Sequence, residues 1–372
     1  MSVVASPLHQ ILDAARWAPS GDNTQPWRFE IKDELHVVVH GSDTRHHCVY
    51  DLDGHPSQLS LGALLETLRL AATGFGLRAD VVRRRECSDE HPTFDVRLVQ
   101  DDRITPSPLI PSIPRRSVQR KPFSPRALTT DEKSALEGAV GPGYSLRWIE
   151  GWGPKWDAAR LMFHNAKLRL TMEEAYRVHR DIIDWGRRYS EERVPDQALG
   201  ADPVSLGLMR WAMRDWSRVK LMNRWLAGTW IPRLQMDLLP GVMCGAHVVL
   251  VCDQAPTDID AHVDAGRQVQ RLWLTATRLG LQHQPEITPL VFARYVRDRV
   301  AFSTDTRAID LAGVLARRSE ALIGPDLPRV AWLGRIGQAS FATSRCVRLP
   351  LTDLMFEGEL AEVATSKPLP PR

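Results

Sequence analysis

LGALLETLRLAATGFGL (residues 61–77) can be laid on AGRQVQRLWLTATRLGL (265–281) without a gap, and seven positions agree: Gly62 with Gly266, Leu68 with Leu272, Leu70 with Leu274, Ala72 with Ala276, Thr73 with Thr277, Gly76 with Gly280 and Leu77 with Leu281. Both stretches have helical spacing. In the second, Ala265, Val269, Leu272, Ala276 and Leu279 recur at steps of four and three along one stripe. Each closes on a glycine, a usual helix stop. The first copy is apolar nearly all round (Leu59, Ala63, Leu64, Leu65, Leu68, Leu70, Ala71, Ala72, Phe75), as expected of a helix buried between layers. A strand candidate follows each copy, Phe94 to Val99 and Val330 to Leu333. Two related α+β halves account for this economically; the other reading is two amphipathic helices alike by composition alone.

Between the copies, ITPSPLIPSIP (104–114) can neither continue a helix nor sit mid-sheet. The boundary is placed there, giving a first half over 1–103, a Pro-rich linker over 104–114 and a second half over 115–372. In the second half Thr129 and Glu132 have capping-box spacing and predict a helix start. Residues 150–235 read as a long helical insertion. Eight of the 12 tryptophans (Trp148, Trp152, Trp156, Trp185, Trp211, Trp216, Trp225, Trp230) fall in or beside it. Such aromatic density reads first as helix packing and second as the wall or lid of a substrate pocket.

With 372 residues, 43% hydrophobic and 25% charged, the chain suits a globular protein of two domains or two fused halves. A net charge of +3, with acids interspersed among the arginines, argues against a nucleic-acid binder. Five cysteines without a CxxC pair signal neither a disulfide framework nor a zinc ribbon and suit a reducing cytoplasm. No signal-like start and no membrane-spanning run is expected.

Arg115, Arg116, Ser117 and Arg120 follow the Pro-rich join directly, and three guanidinium groups with a hydroxyl make a good phosphate cradle. A solvated basic face is the blander alternative. Near the C-terminus, TSRCVRLPL places Ser344 and Arg345 before a Leu-Pro-Leu run, which also reads as a surface loop closing the last strand. Neither cluster has the glycine spacing of a P-loop or of a dinucleotide fingerprint.

Taken together, APSGDNTQPWRF, RRSVQRKPF, LGLQHQPE and TSRCVRLP resemble the flavin-dependent nitroreductase family. The first half holds the Pro-Ser loop with no Arg-x-Ser before it. The second half holds Arg-x-Ser, GLQHQPE and Ser-Arg but no Pro-Ser loop. The chain therefore resembles a tandem, fused-dimer member. The fold this implies is α+β, two nitroreductase-like halves with antiparallel-rich central sheets flanked by helices, fused as an intramolecular pseudo-dimer. One FMN is implied at the seam. Arg115 and Ser117 fall at phosphate and ribityl positions and Arg345 with Ser344 at the other phosphate position, with Arg116 a further cofactor-binding candidate; Pro19, Ser20 and Asn23 fall in the loop facing the ring from the other half, and Gln284, Pro285 and Glu286 beside the N5 edge. Gln119 stands where the family often has a basic residue, with Arg120 next to it, and Thr343 stands in place of a Lys. With no side chain acting as nucleophile, the resemblance implies ping-pong hydride or electron transfer through flavin N5, from NAD(P)H to a nitro, quinone or unsaturated small molecule, or substrate oxidation with dioxygen as acceptor. The chain would be a monomeric pseudo-dimer or a homodimer, without nucleic-acid or membrane partners.

A non-catalytic FMN-binding, storage or regulatory protein is the alternative on the same fold. A metal hydrolase at RHHCVYDLDGH (45–55) is disfavoured, because the adjacent His46 and His47 point to opposite faces of an extended chain.

Overall fold

The protein is described here by a computed structural model covering residues 6–225 and 230–356. The first half runs α1 (Pro7–Ala15), β1 (Trp27–Asp33), β2 (His36–Gly41), α2 (His55–Thr73), β3 (Leu77–Arg83) and β4 (Thr93–Gln100). The second runs α3 (Thr130–Glu137), β5 (Tyr144–Ile149), α4 (Trp152–Thr171), α5 (Glu173–Ile182), the two-residue strands β6 (Ile183–Asp184), β7 (Tyr189–Ser190) and β8 (Val194–Pro195), then α6 (Pro203–Ala212), α7 (Trp216–Trp225), α8 (Trp230–Arg233) and α9 (Leu239–Val242). It closes with β9 (Ala246–Cys252), α10 (Ile259–Arg278), β10 (Leu281–Pro285), α11 (Thr288–Asp298), α12 (Thr306–Ile323), β11 (Val330–Gln338) and β12 (Arg345–Cys346).

Each half builds a four-stranded antiparallel sheet, ordered β1-β2-β4-β3 in the first and β10-β11-β9-β5 in the second. The orders coincide when β1 is matched to β5, β2 to β9, β3 to β10, β4 to β11 and α2 to α10. The repeat seen in the two helices therefore extends to the whole sheet. The halves differ in what joins equivalent strands. Two residues connect β1 to β2, whereas 150–245 connect β5 to β9; 84–92 connect β3 to β4, whereas 286–329 with α11 and α12 connect β10 to β11. The helical insertion expected at 150–235 is thus a decoration of one strand connection. Its helices are interrupted by turns and by the short strands β6–β8, where glycines at 186 and 200 adopt left-handed backbone.

Local chemistry accounts for the element ends. Gly76 and Gly280, the last glycines of the two copies, have φ of 68° and 75°, which a side chain tolerates poorly. Thr129 and Glu132 form the expected reciprocal capping box. The strand AHVVLVC is buried on both faces, as the central strand of a covered sheet must be.

The two repeat helices pack on each other at the centre of the molecule. At the crossing, a Cβ on Gly62 would stand 1.9 Å from the carbonyl oxygen of Val263, and one on Gly266 would stand 2.1 Å from that of Leu59. Farther along the seam, buried Glu66 accepts from Arg69 and from Arg271 of the opposite helix at 2.6 Å, and Gln270 donates to Thr67 at 2.8 Å. These arginines hold the Glu66 carboxyl below its ordinary range although burial alone would raise it.

The cores interleave across this seam. Ile259 and Val263 of α10 pack in the first-half core, and Cys48 and Val49 pack in the core under α4 and α12. The last described residues return to the first half: Leu354 is buried in its core, and Phe356 N–H donates to the Phe29 carbonyl on edge strand β1 at 2.8 Å. Edge pairing of this kind satisfies backbone groups that would otherwise stay open. The Pro-rich join is pinned where it crosses, with Leu109 and Ile113 against Leu70, Leu274 and Trp17.

Because backbone atoms oppose each glycine, Gly62→Ala and Gly266→Ala should each cost about 3 kcal/mol or more of unfolding free energy, the upper range for overpacking. Gly313→Ala in α12, where the nearest opposing atom is the Arg317 guanidinium at 3.9 Å, should be neutral or stabilising. Urea midpoints of the three variants check this; equal behaviour would mean the crossing is not tight.

Candidate functional site

Four arginines gather where the Pro-rich join, the segment after β11 and the 18–27 loop meet. Buried Arg116 donates to the Trp17 carbonyl at 2.9 Å and lies over the Trp273 ring, 4.6 Å from its centroid; its Nε is buried without a partner. Arg345 donates to the Pro114 carbonyl at 2.8 Å and lies over Trp17. Arg348 donates to the Ala18 carbonyl at 3.0 Å and to Asn23 Oδ1 at 2.8 Å. Arg120 donates to the Ala198 carbonyl at 3.2 Å.

Among the described residues, none of the four is in ion-pair contact with a carboxylate. Burial pushes all four guanidinium pKa values down. For Arg116 the charges of Arg348 and Arg345 push further, and Arg348 falls to about 10. Guanidinium stays protonated even so. Arg116, Arg345 and Arg348 form a largely buried positive centre in which Arg345 and Arg348 repel Arg116, with half-buried Arg120 beside it; the hydrogen-bond partners of all four are carbonyls.

The 18–27 loop reaches the second half, and its polarity has a direct cause. The Asn23 amide donates to the carbonyls of Glu191 at 2.8 Å and Val347 at 3.2 Å, with longer contacts to Ser190 and Arg193. Gln25 Nε2 donates to Glu191 O, and its Oε1 accepts from Leu349 N–H. These side chains satisfy backbone groups between short strands that cannot satisfy themselves. The loop adopts left-handed backbone at Asp22, Asn23 and Gln25, φ 50°, 65° and 48°. Such conformations cost about 1 kcal/mol or more each and persist only when the surroundings over-determine them. Behind the loop, Trp27 and Phe29 are fully buried. Ser20 accepts from the Gln25 N–H, and Pro19 lies half-buried beside it.

The Arg-x-Ser segment is tied to β10 by the Val118–His283 bridge and the Gln119 N–H to His283 carbonyl bond. Half-buried Ser117 precedes this bridge. Gln119 donates to the Ser340 carbonyl at 2.9 Å. Gln119, Lys121, Phe341, Thr343 and buried Ser344 line a cavity of about 290 Å³, closed on the far side by Ala198 and Gly200 of the insertion. Exposed Arg115 lies over Phe341, 5.1 Å from the ring centroid. The structure thus gathers 115–120, 284–286 and 344–345 with the loop of the first half. Asn23 and Glu286 point into the protein's own network.

That second network underlies the 284–286 turn. His247 Nδ1 is 2.7 Å from Glu286 Oε2, and its Nε2 is 2.8 Å from the Gly241 carbonyl. Both neighbours are acceptors, so both ring nitrogens donate and the imidazole is protonated. Burial opposes that charge, but Glu286 overcomes it and holds His247 up to about 10. Glu286 is in turn held below its ordinary value by His247 and Arg335 against its burial. His283 is the opposite case: its Nε2 faces the Trp332 indole N–H at 3.1 Å, so it accepts and stays neutral, and burial pushes its pKa down to about 3. Its Nδ1, Gln284 Oε1 and Arg335 Nε are buried without partners, on the adjacent β10 and β11. Pro285 ends this strand half-buried.

Arg348, His247 and Arg335 were not singled out from sequence. A signal existed for two of them: His247 in AHVVLVC and Arg335 in VAWLGRIG are lone polar residues in strands otherwise apolar, a position that demands a buried partner. In RHHCVYDLDGH, Asp51 accepts from Thr44 and Ser57 while Asp53 pairs with Arg294, so these carboxylates are engaged structurally. The tryptophans divide: Trp148, Trp185 and Trp216 pack against core clusters as expected, while Trp152 and Trp230 are 70% and 54% exposed.

His247 is held protonated to about pH 10 against 6.5 for the ordinary side chain. The stabilisation is therefore complete below 6.5 and disappears as pH rises through about 10, since the folded chain then binds the extra proton. Urea midpoints across that window should fall more steeply for the native chain than for His247→Gln; parallel curves would show that His247 does not carry the proton.

No family model matches the chain. Over 301 residues it is 27% identical to two Mycobacterium tuberculosis proteins, of strains CDC 1551 / Oshkosh and ATCC 25618 / H37Rv, each named "Putative NAD(P)H nitroreductase"; the match covers 80% of this chain and 80% of each relative. Among solved structures, a "Nitroreductase-like Family Protein" from Bacillus cereus is 15% identical with a TM-score of 0.32, over 68% of this chain and 97% of its own. A "putative nitroreductase" from Anabaena variabilis is 12% identical with a TM-score of 0.39, over 91% and 74%. In sequence, then, the chain is similar over four fifths of its length to two proteins named as putative NAD(P)H nitroreductases.

Proposed function

We propose that the chain is an FMN-dependent oxidoreductase that passes reducing equivalents from NAD(P)H to a nitro, quinone or unsaturated organic acceptor, with one cofactor at the seam between its halves. The observation that carries this reading is the buried centre of Arg116, Arg120, Arg345 and Arg348, which has carbonyl partners only and a free Arg116 Nε. A phosphate monoester is dianionic and rich in acceptors, so the donor chemistry fits it.

Arg116 and Arg345 would hold the phosphate, with Ser117 and Ser344 as neutral donors. Gln284, with its partnerless buried Oε1, supports an assignment beside the ring. Beneath the turn, His247 and Arg335 both face the Glu286 carboxylate, which fixes the position of the 284–286 segment. FMN, when bound, would supply hydride and electron transfer at N5. The chain's part is to bind, orient and neutralise.

Purified protein should be yellow and release one FMN per chain on denaturation; a colourless protein that takes up no FMN, or one carrying two, would sink the proposal. Each charge-assisted bond contributes about 1.5–3 kcal/mol, so Arg116→Ala and Arg345→Ala should weaken FMN binding roughly 10- to 100-fold by titration. Anaerobic NADPH should bleach the colour. Retained colour would favour the storage or regulatory alternative.

A further inference from the structure

The long connection between β5 and β9 has no counterpart in the first half, where two residues make the same link, so closing the sheet does not explain it. Its α6–α7 pair is apolar on two faces. The inner face is covered: Ala212, Val219 and Met222 pack with Tyr176 of α5, and Trp216 lies 5.2 Å from the Tyr176 ring centroid. The outer face carries Val204, Leu208 and Trp211, spaced four and three apart along α6, with Leu221 on α7; Val204 is 81% exposed and Leu208 45%. Gln235 donates to Asp202 at 2.6 Å, which brings the start of α6 beside the 230–239 turns, where Trp230, Ile231, Leu234 and Leu239 are also exposed. A helix pair apolar on both faces is not completed by the described residues of its own fold.

The charge of the same segment says what completes it. Residues 203–234 hold six basic residues (Arg210, Arg214, Arg218, Lys220, Arg224, Arg233) and one acid, Asp215, so the rest of the chain, with 42 basic and 44 acidic residues, is slightly acidic. Arg210, Arg214 and Lys220 are exposed and make no ion pair among the described residues. Arg218 lies over the Trp211 ring at 5.1 Å from its centroid, holding that indole at the surface. Exposed aliphatic and Trp side chains beside unpaired cations are the chemistry of a helix that lies in the interface of an anionic bilayer. A nucleic acid would meet the cations but offers nothing to Val204, Leu208 and Ile231. No helix of the described chain is long and apolar enough to cross a membrane, so the contact would lie on the surface.

We propose that the α6–α7 face and the adjoining 230–239 turns dock this protein on anionic lipid surfaces, with Val204, Leu208 and Trp211 inserted among the acyl chains and Arg210, Arg214 and Lys220 on the headgroups.

The test is co-sedimentation of the full chain with phosphatidylglycerol-containing vesicles and with pure phosphatidylcholine vesicles. Binding to the former only, screened by salt and accompanied by a blue shift of Trp emission, is expected. At about fivefold per surface charge, each of Arg210→Glu, Arg214→Glu and Lys220→Glu should lower partitioning at least fivefold. Leu208→Glu, at an exposed position, should lower it roughly tenfold or more while circular dichroism and the urea midpoint stay unchanged. Four results would overturn the proposal: no vesicle binding, equal binding to both lipids, binding to single-stranded DNA indifferent to Leu208→Glu, or self-association that Leu208→Glu abolishes without any lipid binding, which would make a second copy the occupant.

Discussion

Two helices can cross with their backbones almost touching only where neither has a side chain at the crossing, and Gly62 and Gly266 supply that condition for α2 and α10. The rest of the molecule follows from how close this brings the halves. It buries α2 on nearly all sides and lets Glu66 reach Arg271 of the opposite helix. It also lets each half contribute apolar side chains to the core of the other. A single methyl at either glycine would press on a carbonyl oxygen, and packed backbone has little room to yield.

Halves packed this tightly create a seam rich in backbone groups without regular partners, and the polar residues of the site answer that problem. Asn23 and Gln25 serve carbonyls and an N–H of the 190–193 and 347–349 segments, and four arginines bond to carbonyls of the 18, 17, 114 and 198 turns. Neutral carbonyls satisfy part of the guanidinium donors, Arg116 Nε staying unpartnered, and leave the charge uncompensated, which is a costly state in a desolvated place. The positive centre is therefore a structural clasp that carries uncompensated charge. His247 behaves differently: its charge is matched by Glu286, so it braces the turn and adds little field of its own.

Much of this was legible in the residues. The glycines, the shared helical stripe and the helix stops of the two copies depend on local steric and periodic rules, and α2, α10, the capping box at Thr129 and the strands at 93–100 and 330–338 follow them. The loop before Trp27 and the basic residues at 115–120 and 344–345 announced themselves by composition. The work of Asn23 was not legible, because its partners lie about 170 and 320 residues away and are peptide carbonyls, which carry no side-chain signature. Arg348 was passed over for the same reason. Which tryptophans pack and which stay exposed is not legible either, since density along the chain does not say which face a helix presents once turns and short strands intervene.

By itself, the sequence determined that the chain is a divided repeat, because periodicity and glycine placement are properties of neighbouring residues. Tertiary structure decided which glycines touch, that equivalent strands take equivalent places in both sheets, which arginines lose water together, and which tryptophans stay in it. Those outcomes depend on distances between residues far apart in the chain and on desolvation, and neither quantity exists until the halves have closed on each other.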